Sequence, residues 1–354
     1  MRAVAMRAGG RTAGGEGALI ADSHGYWRAT LFATTGRPMP HPMPLYSLWT
    51  VIWVGICMRC RLDADGEPTI VLELEVINMV GAALQFLVVL RSNAAYARWV
   101  EGRQIWAAII ANCRNLVCFA IANLADASRV DALARHAVAY AVLCKQHLRA
   151  EHSPAELLPI LSRAEVAKLF ANEHAALAAL ELISHQLAGA RRARLLDSYA
   201  TMQLDDMLSE LTHALTSGER ILNTRMPFGY VVHLRTFLAV WLLTLPCGLV
   251  GDLGWASAPV AIGIAYVLLG VERISLDIEQ PFGTDHSDLA LDEFVHGVTA
   301  VDLHEMLSRH AEEHASHSLP VPLARVLGGR ERSHVAARRG LDASHAATPK
   351  KPTR

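Results

Sequence analysis

Residues 76–106 read VINMVGAALQFLVVLRSNAAYARWVEGRQIW, an apolar run that turns polar at Arg91. From Val76 to Leu90 no residue carries a charge, whereas Arg91, Arg98, Glu101 and Arg103 follow within the next thirteen positions. An apolar stretch that ends in a basic cluster is the pattern of a segment leaving a bilayer on its cytoplasmic side. Ala82, Phe86 and Leu90 lie four apart, so on a helix they share one face.

Three further apolar stretches lie outward from this one: 45–58 (LYSLWTVIWVGICM), 236–250 (TFLAVWLLTLPCGLV) and 258–271 (APVAIGIAYVLLGV). Each spans about 15 residues, short of the roughly 20 that cross 30 Å of hydrocarbon. Taken singly, each suits a buried helix of a soluble protein. Their arrangement favours a membrane instead, because the four form two closely linked pairs, 45–90 and 236–271. MPFGYVVHLR extends the third stretch, and Trp255 is placed for a lipid–water interface. The 354 residues are 52% hydrophobic and 19% charged, with mean hydropathy +0.24, so part of the chain is expected to meet lipid. A net charge of −1 offers no basic surface for nucleic acid.

Residues 93–224, between the pairs, are too polar for lipid. Leu195, Leu196, Tyr199, Met202, Leu208, Leu211 and Leu215 recur there at spacings near three and four, the stripe of an amphipathic helix. The expected class is all-α: four transmembrane helices plus a cytoplasmic helical bundle over 93–224 and 284–310. Residues 1–24 and 311–354 are expected to be largely disordered around a single unit at 25–310. Arginines after the second stretch place both termini in the cytoplasm of a multi-pass cell-membrane protein. The six cysteines are scattered, and the lone Cys57-x-x-Cys60 reads as apolar packing rather than a zinc or redox site.

Leu90–Trp106 resembles the signature that follows the second span of the bestrophin family, with Arg91, Asn93, Tyr96, Arg98, Trp99, Glu101 and Arg103 all matching. A second block, 219–235 (ERILNTRMPFGYVVHLR), is similar to the family's entry to the third span and carries Pro227, Phe228, His233 and Arg235. A third, 270–292 (GVERISLDIEQPFGTDHSDLALD), resembles the helix end and acidic turn after the fourth span, with Glu272, Pro281, Phe282 and Gly283. The likeness covers residues 25–310.

This resemblance implies a homopentamer in a lipid bilayer, with the second span of each copy lining the neck of a central pore. Small inorganic ions are the implied cargo. Some members pass chloride and a bacterial relative passes cations; chloride is the expectation here. Five copies of Ala82, Phe86 and Leu90 would stack as apolar rings that gate by dewetting. Ala82 and Leu90 stand where the family often has a bulky aliphatic residue and a Phe, which leaves Phe86 as the tightest ring. A cytoplasmic constriction is expected near Ala175–Leu177. Arg98 and Glu101, three apart, suit an ion pair along their helix. For Arg91, Arg98, Glu101 and Arg103 together, helix-to-helix pairing that holds the second span is the greater expectation and attraction of anions the lesser. Arg235 is expected to pair with Glu272. No cofactor is required. Asp285 and Asp288 match acidic positions of the calcium clasp in animal bestrophins, and Gln280 matches a further oxygen. Calcium takes about six to eight oxygens, and this chain lacks the unbroken acidic run of the animal proteins, so a helix-capping turn is the greater expectation and calcium the lesser.

Two rival classes stand beside the channel. His310-Ala-Glu-Glu313-His314 fits the H-x-x-E-H order of a zinc-dependent membrane hydrolase, but Asp342 is the sole acidic residue downstream. With His304 and His317 it reads better as a polar helix face. A soluble helical scaffold would bury the four apolar stretches in its core. Neither a Gly-rich phosphate loop nor a Ser/His/Asp arrangement is evident, and the expectation is a protein that is not an enzyme.

Overall fold

The computed structural model describes residues 42–63 and 74–313, and every regular element among them is helical. In chain order these are α1 (Met43–Asp63), α2 (Leu74–Asn123), α3 (Ala127–Arg149), α4 (Arg163–Phe170), α5 (Ala175–Arg192), α6 (Ser198–Asn223), α7 (Phe228–Leu253), α8 (Ser257–Glu279) and α9 (Val301–Glu313). Short 3-10 turns occupy Pro154–Glu156 and Gly254–Ala256, and a π-helical segment, Glu293–Ala300, leads into α9. The expectations for residues 1–24, for the side chain of Cys60 and for the tail beyond Glu313 fall outside the described residues. The chain divides into two compact units, one from residues up to 103 with 220–289, the other from 104–219 with the residues after 289.

In the first unit α1, the start of α2, α7 and α8 pack around Tyr46, Ile77, Leu84, Val88, Leu234, Leu238, Trp241, Leu245, Ala261 and Ala265. α2 approaches α7 closely at Gly81, where a Cβ would lie 2.9 Å from Cζ2 of Trp241. The same indole donates to the Ile77 carbonyl at 2.9 Å. Pro246 sits inside α7, and a proline there has no N–H for the carbonyl four residues earlier. That carbonyl, on Leu242, accepts instead from the Tyr46 hydroxyl of α1 at 3.0 Å. Trp53 of α1 donates to Cys247 Sγ beside it at 2.7 Å.

α2 runs far past the apolar boundary at Leu90, because hydropathy changes there and helix propensity does not. Among the described residues, two helical stretches are long and apolar enough to cross a membrane, 75–123 and 228–279, the second being α7 and α8 joined through the turn at Gly254–Ala256.

In the second unit sequence-local caps set the helix ends. Asp126 caps α3 by accepting from the Ser128 amide at 3.1 Å, Ala150 closes it in the left-handed conformation, and Ser162 with Glu165 forms a capping box on α4. Val130, Leu133, Tyr140, Leu148, Ile183 and Leu187 are buried. On α6 the buried positions include Ala200, Leu204, Leu211 and Leu215, whereas Tyr199 and Met202 point outward. Leu196, Leu211 and Leu215 of the expected stripe are thus buried, while at the start of α6 small Ala200 rather than bulky Tyr199 faces the interior.

The units differ in what they expose. Leu45, Leu48, Met79, Phe86, Phe228, Trp255 and Val267 are among many large apolar side chains left open in the first. Among the described residues, Leu158, Leu177, Tyr199 and Met202 are the exposed large apolar side chains of the second.

A buried ammonium fixes one corner of the second unit. Lys145 of α3 is 3% exposed and donates to Glu156 and, at 2.8 Å, to Asp292, which also takes Arg149 at 2.8 Å. His296 meets Glu156 at 2.5 Å. Burial pushes the Glu156 carboxyl up, but hydrogen bonds from His296, Lys145 and Gln146 overcome it and hold it down at about 2 instead of 4.5. Burial likewise raises Asp292, while Lys145 and Arg149 bring it from 3.8 to about 2. Both folded pKa values lie below the unfolded ones, so the stabilisation is complete above about pH 4.5 and is lost as the pH falls towards about 2. Thermal unfolding followed against pH should show that fall, and Lys145→Met should flatten it while lowering the neutral-pH midpoint.

Candidate functional site

Directly below the apolar part of α2, Arg91 is enclosed with 1% of its surface exposed. An isolated buried guanidinium is strongly disfavoured, so its partners decide whether α2 can sit there at all. Its Nη2 lies 3.5 Å from Glu279 Oε2 and 3.7 Å from Glu272 Oε1, both on α8, and its Nη1 lies 3.6 Å from Met226 Sδ. Glu272 also takes Arg235 Nε of α7 at 2.7 Å, the pairing expected from sequence. Glu279 Oε1 accepts from the Met226 amide at 3.2 Å. Two guanidinium groups and two carboxylates thus balance to zero formal charge and tie α2, α7 and α8 together.

Two helical turns further on, Arg98 does something else. It was expected to pair with Glu101, but it donates to three carbonyls: Glu279 at 3.1 Å, Thr224 at 2.6 Å and Ile221 at 2.6 Å. Those carbonyls end α8 and α6, where backbone oxygens lack partners within their own helix. A planar guanidinium offers several donors in a fixed fork, so one arginine can cap both ends. Glu101 is left for Arg220 of α6.

The remaining signature residues surround this joint. Trp99 donates to the Ser287 carbonyl at 3.0 Å and stacks with Tyr96, their ring centroids 6.3 Å apart. Pro281 and Phe282 are buried, and a Cβ on Gly102 would lie 2.9 Å from Pro281 Cγ. Pro227 precedes α7, Phe228 is exposed at its start, and His233 stacks on Phe237. Asn93 and Arg103 lie on the exposed side of α2. Ala82, Phe86 and Leu90 are exposed too, Phe86 by 63%, on the side of α2 turned away from buried Leu84, Val88 and Arg91.

The acidic turn is internally bonded. Asp288 Oδ2 accepts from the Asp285 amide at 2.7 Å, the Asp288 amide donates to the Asp285 carbonyl at 3.0 Å, and Leu289 returns to the Pro281 carbonyl at 2.9 Å. The Asp288 carboxylate folds over Gly283, where a Cβ would come within 2.5 Å of it. Gln280 donates its amide to the Leu222 carbonyl at 3.3 Å.

A family model described as bacterial/fungal bestrophin protein matches residues 19–302. The chain belongs to the bestrophin family. It is similar to a voltage-dependent anion channel-forming protein of Nostoc sp., 36% identical over 214 residues that make up 59% of this chain and 70% of that one. A protein of the same description from Synechocystis sp. is 30% identical over 278 residues, covering 72% of this chain and 90% of its own. Among solved structures, a mutant form of a bacterial bestrophin homologue from Klebsiella pneumoniae matches with a TM-score of 0.70 at 26% identity, over 75% of this chain and 98% of that one.

Within this bestrophin chain, Glu279 is the residue that sequence reading passed over. Its signal was present: Glu272 and Glu279 stand seven apart, two helical turns, so both fall on one face of α8. Gly81 and Gly102 were passed over as well, since only the bulk opposite them reveals why no side chain fits. Removing Arg91 alone would leave Glu279 enclosed without a cation, while Glu272 keeps Arg235. Arg91→Met should therefore cost about 3–5 kcal/mol of stability, read as a lowered unfolding midpoint in detergent. Adding Glu279→Gln should recover part of that loss, whereas Glu279→Gln in the native background should be destabilising.

Proposed function

We propose that this chain is one subunit of a homopentameric ion channel of the cell membrane, with α2 lining an apolar neck at Ala82, Phe86 and Leu90 and chloride passing in preference to cations. The carrying observation is the orientation of α2 in a bestrophin chain. The helix buries Leu84, Val88 and Arg91 against its own subunit and leaves Ala82, Phe86 and Leu90 free to meet a shared axis. The apolar exterior of the first unit supports a lipid and subunit environment, since soluble monomers rarely expose contiguous apolar surface on this scale. It also argues against a soluble scaffold, whose four apolar stretches would be interior.

Four spans fit this reading if α1, the start of α2, α7 and α8 cross together, with the second unit as the cytoplasmic bundle and both termini beside it. The relatives described as anion channel-forming support anions over cations. Selectivity does not rest on Arg91, whose charge faces two carboxylates and not an open axis. A phenyl ring can turn its electropositive edge to a passing anion, and a hydrophobic ring gates by excluding water until it widens. Leu177, exposed at the start of α5, remains the candidate for a second constriction. The Asp285–Asp288 turn is read as a backbone cap, with no calcium or other cofactor required for permeation.

Purified protein in a planar bilayer under a potassium chloride gradient should reverse near the chloride equilibrium potential. Reversal near the potassium potential, or no current from pure protein, would overturn the anion-channel reading. In the same bilayers Phe86→Ala should raise conductance or open probability; unchanged currents would remove Phe86 from the neck.

A further inference from the structure

Two clusters of potential metal ligands occur among the described residues, both in the second unit: His147, His174 and Glu219, and Glu156, Asp292 and His296. Their compositions are similar but their occupancy is not. In the second cluster Lys145 already bridges the two carboxylates and Arg149 adds a further cation. Among the described residues no Lys or Arg pairs with Glu219 in the first. Its partners are the two imidazoles, His147 Nε2 at 2.9 Å and His174 Nε2 at 2.5 Å, both on the same oxygen.

We propose that His147, His174 and Glu219 bind a divalent first-row metal, zinc foremost, and that this ion governs the first turn of α5. Calcium and magnesium prefer all-oxygen shells, whereas two imidazoles and one carboxylate suit zinc and its neighbours. Three protein ligands leave a position open for water, a set that zinc accepts. The ligand atoms all lie within 4.8 Å of one another. In a tetrahedral zinc site with bonds near 2.0–2.1 Å, ligand atoms stand about 3.3 Å apart. The two Nε2–Oε1 pairs therefore need to spread by less than about 1 Å. Each side chain is about one-third exposed, so an ion can enter and shed its water.

His174 makes the site more than a clip. It is the N-cap of α5, and its Nδ1 accepts from the Leu177 amide at 3.2 Å. An Nδ1 that accepts leaves the proton on Nε2, which then donates to Glu219. A metal on Nε2 requires the other tautomer, with the proton on Nδ1. Metal binding and the Leu177 cap are therefore mutually exclusive. One backbone hydrogen bond at the head of α5 is exchanged for a coordinated link between the C-terminal turn of α3, the start of α5 and α6. Where the channel reading holds, Leu177 borders the candidate constriction, so zinc would bias conduction there; the binding claim itself does not depend on that reading.

The test is calorimetric titration of zinc into the chelator-treated full-length protein in detergent. The expected result is one zinc per subunit at micromolar or tighter affinity, with a raised unfolding midpoint as a ligand selective for the folded state produces. His147→Ala and the near-isosteric Glu219→Gln should each weaken binding about tenfold or more, and Glu156→Gln in the lysine-filled cluster should not. Absence of binding to the native chain overturns the site, as does undiminished binding to folded His147→Ala and Glu219→Gln, which would assign the zinc to other histidines. Bilayer currents measured alongside separate the two ideas. Chloride currents without zinc binding sink the metal site alone, and zinc binding without currents sinks the channel reading alone.

Discussion

A positive charge withdrawn from solvent at the foot of the apolar segment is the constraint on which the first unit depends. Arg91 cannot be enclosed unless α8 supplies counter-charge on the facing side, and α8 does so twice, from Glu272 and Glu279. Each carboxylate is engaged a second time, by Arg235 and by the Met226 amide, so no member of the set can shift without disturbing another. The arrangement places α2 in one rotational setting. With Arg91 inward, Leu84 and Val88 must also face inward, and Phe86 and Leu90 must face out. Electrostatics at one end of the segment thereby orient an apolar stretch whose polar side chains, Asn78 and Gln85, are both left exposed. Buried ion networks are weak sources of net stability but good sources of geometric specificity, and specificity is what the proposed placement of α2 at a common axis would require.

Arg98 solves a different problem with the same side chain. Ends of α6 and α8 meet where neither can satisfy its last carbonyls internally, and one guanidinium serves both. Charge neutralisation by Arg91 and carbonyl capping by Arg98 thus divide the work of the signature. Trp99, Gly102 and the Pro281–Phe282 turn close the packing around them.

Much of this was legible from sequence, and the exceptions share a cause. Residues 76–106 announced an apolar helix with a basic end, and the all-helical class followed from the absence of alternating patterns. The Arg235–Glu272 pair could be anticipated because each sits at the edge of an apolar run, where a charge needs a partner. The carbonyl partners of Arg98 could not, because backbone carbonyls have no letter of their own; pairing with another helix was foreseeable, but Glu101, three positions away, was the one charged candidate at helical spacing. At the start of α6, Tyr199 and Met202 were misassigned for a related reason: side-chain size was weighted over register, and the register there puts Ala200 and Leu204 inside. The extent of α2 beyond Leu90 shows the same limit, since hydropathy marks a change of environment and not the end of a helix. His147, His174 and Glu219 are separated by long stretches of chain, and only the tertiary fold brings them within reach.

Pro246 has a mechanical consequence. Proline deprives α7 of one internal bond, and the hydroxyl of Tyr46 fills the gap from a neighbouring helix. Inside hydrocarbon no water stands ready to replace that hydroxyl. α1 is therefore latched to α7 at a fixed height: sliding it by even one residue would leave a carbonyl oxygen bare, and in the proposed membrane setting bare in hydrocarbon. The pair should travel as a single plank, so any rearrangement that opens the molecule must hinge elsewhere than between these two helices.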